Sequence, residues 1–260
     1  MASIEAPAEP DSQSNGLQDI PQPNPTTMEK DVAELMEQSW QQLQTSIADQ
    51  SLDAAGKAQA YADYGLVAFG NGLVLPAETS FANATQLAPE DARWLYFRAL
   101  LQEYSGKLDE AVDSFEQVLL LRPNDLPSLL RLADVRFEQA QMEAANQLYQ
   151  QALSLDEESA YAKYGLGRVA RALGDDQQAL EHFEAVLTLQ PNADQVNYLL
   201  GLTWRNLGDK EKAKSYLSQR GTTEPGFDDP LFDEISGGEE RIGGMWANMD
   251  AGSQAFVDGN

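Results

Sequence analysis

No cysteine occurs anywhere in the 260 residues. Disulfides, thiolate nucleophiles and cysteine-based zinc sites are therefore excluded. The absence fits either redox compartment and is useful in an oxidising one, where a stray thiol is a hazard. Basic residues are scarce too: 17 stand against 42 acidic ones, for a net charge of −25. Nucleic-acid affinity rests on Lys and Arg neutralising phosphates, and docking on anionic membranes needs polybasic segments, so both are disfavoured. The same imbalance favours partners that carry basic patches. No apolar run approaches the roughly 20 residues of a membrane span. Nor is a signal peptide visible, since Met1 leads straight into Ala2, Ser3, Ile4 and Glu5 with neither a basic start nor an apolar stretch. The chain as written reads as soluble.

Groups able to do chemistry are equally sparse. The single histidine, His182, reads most simply as a packing residue. Tyr164-Gly165-Leu166-Gly167-Arg168-Val169-Ala170 matches a dinucleotide fingerprint. No strand precedes it to make the phosphate loop, so the match is a decoy. Walker loops, metal-ligand clusters, nucleophile elbows and calcium loops are missing. The expectation is a protein that is not an enzyme and holds no cofactor and no metal.

What is present is order at a longer scale. Residues 1–27 are rich in Pro, Asp, Gln, Asn and Ser, too polar to offset the entropy of ordering them, and read as a disordered acidic leader. Over 28–50, Val32, Leu35, Met36, Trp40, Leu43 and Ile47 recur at helical spacing, with Thr26 and Glu29 placed as a capping box. This is a lead-in amphipathic helix. From Ala58 a pattern repeats every 34 residues: 58–91, 92–125, 126–159, 160–193 and 194–221. The eighth residue of each unit is small (Gly65, Ala99, Ala133, Gly167, Gly201), and the twentieth is alanine (Ala77, Ala111, Ala145, Ala179, Ala213). The fifteenth is Gly72, Gly106, Ala140, Gly174 and Gly208, and the twenty-fourth is bulky (Phe81, Phe115, Tyr149, Phe183, Leu217). Proline fills position thirty-two in three units, as Pro89, Pro123 and Pro191.

Each choice has a cause. Small residues at eight and twenty let two antiparallel helices cross closely. Position fifteen ends a first helix in a left-handed turn, and position twenty-four fills the gap to the next hairpin. Proline stops the second helix, after which Asp91, Asp125 and Ser159 are good N-caps for the next one.

A helix–turn–helix unit of this length, with small-8, small-20 and Pro-32, resembles the tetratricopeptide-repeat (TPR) family. The resemblance spans residues 58–221 and implies an all-α fold, a right-handed TPR superhelix that is a solenoid of antiparallel helix pairs. Residues 222–250 read as a Gly/acidic linker, within which Phe227, Leu231, Phe232 and Ile235 make 227–235 a segment placed to cap the last hairpin. Residues 251–260 read as the start of a truncated further repeat, and the chain as a piece of a longer protein.

The resemblance further implies a concave groove lined by positions two, five, nine, twelve and thirteen of the first helices. Those positions hold Phe69, Arg93, Tyr96, Tyr104, Phe137, Tyr161, Tyr164, Arg168, Arg171, Tyr198 and Arg205, residue types enriched in binding hot spots. Arg168, Arg171 and Arg205 are expected to converge in one stretch of groove, suited to a segment bearing an anionic group. Position nine carries no asparagine and position five no lysine, so the carboxylate clamp of chaperone-tail adaptors is disfavoured. The implied function is a non-catalytic scaffold or adaptor for a protein or peptide segment. The layout resembles exported bacterial tandem-array proteins of envelope assembly or secretion, which implies a periplasmic location if an upstream signal has been removed and a cytoplasmic one otherwise. Two alternatives stand beside it: a regulatory TPR domain of an enzyme whose catalytic part lies beyond the C-terminus, and a self-assembling TPR module.

Overall fold

The computed structural model describes residues 16–236 of the chain. Among them lie twelve α-helices and no strand. A lead-in helix α1 (Lys30–Ala48) is followed by five antiparallel pairs: α2 (Ala54–Gly70) with α3 (Val74–Leu87), α4 (Ala92–Tyr104) with α5 (Leu108–Leu121), α6 (Leu126–Glu138) with α7 (Met142–Leu155), α8 (Ala160–Ala172) with α9 (Asp176–Leu189), and α10 (Val196–Asn206) with α11 (Lys210–Leu217). A short α12 (Pro230–Ser236) comes last. Within the array the two helices of each pair pack together, and each second helix packs on the first helix of the next pair, which makes the fold a one-dimensional stack.

The first helices start where the sequence supplies a cap. Asp91 accepts from the Arg93 backbone N–H, Asp125 from that of Ser128 and Ser159 from that of Ala162. They end at position fifteen with φ on the positive side: 75°, 70°, 82° and 87° at Gly72, Gly106, Gly174 and Gly208. The next residue's N–H then reaches back into the helix, as from Lys107 to the Gln102 carbonyl at 2.9 Å, the left-handed closure that glycine takes without strain. Ala140 adopts the same turn at φ 58°, where its Cβ crowds the backbone. Ala140→Gly is expected to stabilise the chain by about 0.5–1 kcal/mol, the relief of strain less glycine's extra freedom when unfolded. A denaturation midpoint that falls instead would show that this turn carries no strain.

Packing explains the small residues. A Cβ on Gly167 would stand 2.5 Å from Phe183 Cε1, and one on Gly201 2.6 Å from Leu217 Cγ, so position eight abuts position twenty-four of its own unit. Ala77, Ala111, Ala145 and Ala179 are fully buried at the crossings. First helices are walled by second helices on both sides and bury most of their length. α4 buries nine residues, whereas the outer helix α7 buries three.

Three expectations change. Thr26 does not cap α1; it lies in a 3-10 turn and bonds Asn24, while Glu29 precedes α1 without a side-chain cap. The leader is not wholly unpacked: Leu17 and Ile20 pack on the core of the first two repeats. The reason is Asn83, fully buried on α3, whose amide accepts from Gln18 N and donates to Gln18 O, both at 2.8 Å. Third, the segment after Gly221 does not cover the last hairpin. It runs back across the first helices to α4 and α2. Residues 1–15 and 237–260, with the expected truncated repeat, lie outside the described residues, as does the side chain of Ile235.

Candidate functional site

The first-helix face holds two linked clusters of charge and aromatic rings. One centres on Asp134 of α6, which is 8% exposed. Its carboxylate accepts from Tyr149 Oη and Tyr161 Oη at 2.7 Å each and from Arg168 Nη1 at 3.0 Å. The Arg168 guanidinium lies over the Phe137 ring at 4.1 Å and over Tyr164 at 5.5 Å. Four of the residues expected in the groove (Phe137, Tyr161, Tyr164 and Arg168) thus meet here. They are tied to one another through an aspartate, and Arg168 is not a free anion receptor.

The other cluster centres on Arg131, also on α6. Its guanidinium donates to Asp229 Oδ2 from Nη2 at 3.2 Å, and Tyr96 Oη donates to the same oxygen at 2.5 Å. Arg131 also lies over the rings of Phe227 at 5.3 Å and Phe232 at 4.7 Å, and Phe227 packs edge-on to Tyr161 at 4.7 Å. The segment bearing Asp229 is held further along by Gln190, whose side chain exchanges two 3.0 Å hydrogen bonds with the Gly226 backbone. Thr223 O accepts from Gln195 N at 3.1 Å.

The remaining expected residues do not join either cluster. Phe69 is fully buried and stacks edge-on to Phe81 and Tyr104, so that pair belongs to the core of the first repeats. Arg93 is paired with Asp91 at 2.6 Å, bonds Gln59 at 3.3 Å and covers Trp94. Tyr198 and Arg171 are half-buried on α10 and α8, and Arg205 is exposed. Among the described residues neither Arg171 nor Arg205 forms a salt bridge. The convergence of Arg168 with Arg171 and Arg205 is not what organises the face.

Sequence reasoning missed Arg131, Asp134, Glu103 and Asp229. For Asp134 a signal existed: it lies 34 residues before Arg168, at the same position of adjacent repeats, with opposite charge. Arg131 falls at position six, outside the positions expected to face the groove. Glu103, in the last turn of α4, has Oε2 buried and lacking a hydrogen-bond partner among the described residues. Burial pushes its carboxyl up to about 8, the charges of Asp134, Glu138 and Asp229 add to the rise, and Arg131 opposes it.

That proton has a consequence. Folded, Glu103 keeps it up to about pH 8, against about 4.5 for an ordinary carboxyl. The folded state therefore binds more protons across that window and loses stability as pH rises through it. Glu103→Gln is expected to flatten this fall and to melt higher than the unmodified chain at pH 8–9. Melting profiles of both chains from pH 5 to 9 check it; the shifted group His182 titrates in both and cancels in the difference. Parallel profiles would contradict a buried, protonated Glu103.

Among the described residues no group of three or more His, Cys, Asp or Glu is arranged to hold a metal ion, and no helix is long and apolar enough to cross a membrane. The Gly-x-Gly match is explained by packing: a Cβ on Gly165 would stand 2.2 Å from Tyr149 Cζ.

Comparisons with known proteins agree with this fold. Among solved structures, MamA from Desulfovibrio magneticus RS-1 superposes with a TM-score of 0.59 at 18% identity, over 70% of this chain and 97% of that one. YrrB, described as a TPR protein with an unusual peptide-binding site, gives 0.57 at 22% identity, over 68% and 89%. BtubC from P. vanneervenii gives 0.61 at 17% identity, over 72% and 89%. At these identities the likeness is one of fold. A comparison with curated protein sequences finds no match. The family model of the tetratricopeptide repeat matches residues 63–125, 130–194 and 170–219, more than half of the chain, and the protein belongs to the tetratricopeptide-repeat family.

Proposed function

We propose that this protein is a non-catalytic scaffold that holds a segment of another protein along the face of its first helices. The observation that carries the reading is the seating of residues 223–232 on that face. An acidic-aromatic stretch of polypeptide, ending in the first turn of α12, fits there with its backbone bonded by Gln190, its carboxylate on Arg131 and Tyr96, and its rings on Tyr161 and Arg131. An intramolecular segment seated there supports the reading that the face accepts a peptide. Aromatic rings and guanidinium groups that recur along it supply both apolar area and directional hydrogen bonds, the mixture that dominates protein interfaces. The unusual peptide-binding site of YrrB points the same way.

The test uses groove residues that neither cluster consumes. Arg171→Ala combined with Arg205→Ala is expected to weaken capture of the native partner by about tenfold, or ~1.4 kcal/mol, with helicity unchanged. The paired change Gln147→Ala and Glu181→Ala, both exposed on the second helices α7 and α9, is expected to leave capture intact. Loss of capture in the outer-face pair alone would move the binding surface away from the first helices.

A further inference from the structure

We infer that residues 223–232 are an intramolecular stand-in for the partner, and that the site on α4, α6 and α8 is specific for a segment of the form aromatic–x–Asp–Pro–x–aromatic, which must displace this segment to bind. The inference rests on the groove reading above and adds the chemistry of the ligand and the competition for it.

The specificity can be read from the contacts. Asp229 uses its two carboxylate oxygens for different tasks. Oδ1 accepts from the Phe232 backbone N–H at 3.1 Å and caps α12, whose first residue is Pro230. Oδ2 takes Tyr96 and Arg131. Proline directly after the cap presets the helical turn at no cost in hydrogen bonds, and that turn brings the ring three residues later to the Arg131 guanidinium. The ring two residues before the aspartate reaches the same guanidinium from Phe227. One arginine thus reads a carboxylate and two rings, and the spacing between them is fixed by a helix cap. Desolvation makes the reading strict. The side chains of Arg131 and Asp229 are 16% and 6% exposed, so a segment without the carboxylate leaves the guanidinium and the Tyr96 hydroxyl buried without an acceptor.

Phe227, Leu231 and Phe232 pack against the core of the repeats, yet three features make the segment an exchangeable occupant. Segment 222–229 forms no helix of its own, α12 is only seven residues long, and the segment's hydrogen bonds are made mostly to side chains. It is also tethered directly to the end of α11, a short connection that holds it at about millimolar effective concentration. A ligand of the same form binds with an apparent affinity reduced by the fraction of molecules whose groove is open.

The experiment uses the full 260-residue chain and a fluorescent synthetic peptide of residues 222–236. Binding is read by anisotropy against the unmodified chain and against a chain carrying Asp229→Ala with Phe232→Ala. The expected result is at least tenfold tighter binding to the altered chain, and at least tenfold weaker binding when the peptide carries the Asp229→Ala change. A second altered chain, Phe227→Ser with Phe232→Ser, keeps the aspartate and guards against misfolding of the first; circular dichroism checks both. Equal binding to the altered and unmodified chains, or no binding to either altered chain at full helicity, overturns the inference. Native-partner capture separates it from the groove reading. If capture depends on Arg171 and Arg205 but is unchanged in both tail variants, the groove stands and the stand-in falls. If capture ignores all of them, the groove reading falls as well.

Discussion

Asp134→Ala is expected to lose about 3 kcal/mol or more of folding stability, because it strips the partner from a partly buried guanidinium and leaves two tyrosine hydroxyls without an acceptor. Tyr149 is fully buried and Asp134 is 8% exposed, so water reaches this cluster poorly. Arg168 has α6 behind it and Phe137 and Tyr164 beneath it, and no second carboxylate pairs with it among the described residues. Tyr161→Phe removes a single hydrogen bond from the same carboxylate and is expected to cost about 1 kcal/mol. Urea denaturation of the three chains checks the order. An Asp134→Ala chain within 1 kcal/mol of the unmodified one would mean that the cluster is solvated and holds nothing together.

Gly165→Ala is the second large effect, at about 3 kcal/mol, the upper end of what overpacking a core costs. The added methyl would stand 2.2, 2.3 and 2.6 Å from Cζ, Cε1 and Cε2 of Tyr149. Relief by swinging the ring is closed off, since Tyr149 Oη is bonded to Asp134 at 2.7 Å. The two substitutions therefore strike one node from opposite sides, and their costs should fall short of additive when combined. Gln147→Ala, on the exposed side of α7, should stay within about 0.5 kcal/mol. Equal loss in Gly165→Ala and Gln147→Ala would contradict the packing of α8 against α7.

The repeats were legible because their determinants are local and periodic. A residue at position eight meets position twenty-four of its own unit, as Gly167 meets Phe183, so one unit's sequence contains both partners. The same holds for the turn glycines and the caps at Asp91, Asp125 and Ser159. The aromatic character of the inner face was legible for a similar reason, since Tyr96, Tyr161, Tyr164 and Phe137 fall at fixed positions. What these side chains do was not. Tyr96 meets Asp229, 133 residues further along the chain, and no periodicity links a repeat to a segment outside the array. Acidic, proline-containing sequence after Gly221 reads as solvated linker until a buried arginine is found opposite it. The leader failed in the same way: Leu17 and Ile20 are too few to predict order, and the hydrogen bonds of Asn83 that fix them join positions 65 residues apart.

The central claim, that partners are held on the first-helix face, is tested most directly by photo-cross-linking. A photo-activatable residue is placed in the full chain at Arg171 or Tyr198 on first helices, or at Gln147 or Glu181 on second helices, and each chain is irradiated in complex with its native partner. The account predicts covalent adducts from Arg171 and Tyr198, with little from Gln147 and Glu181. Adducts confined to Gln147 and Glu181 would contradict it.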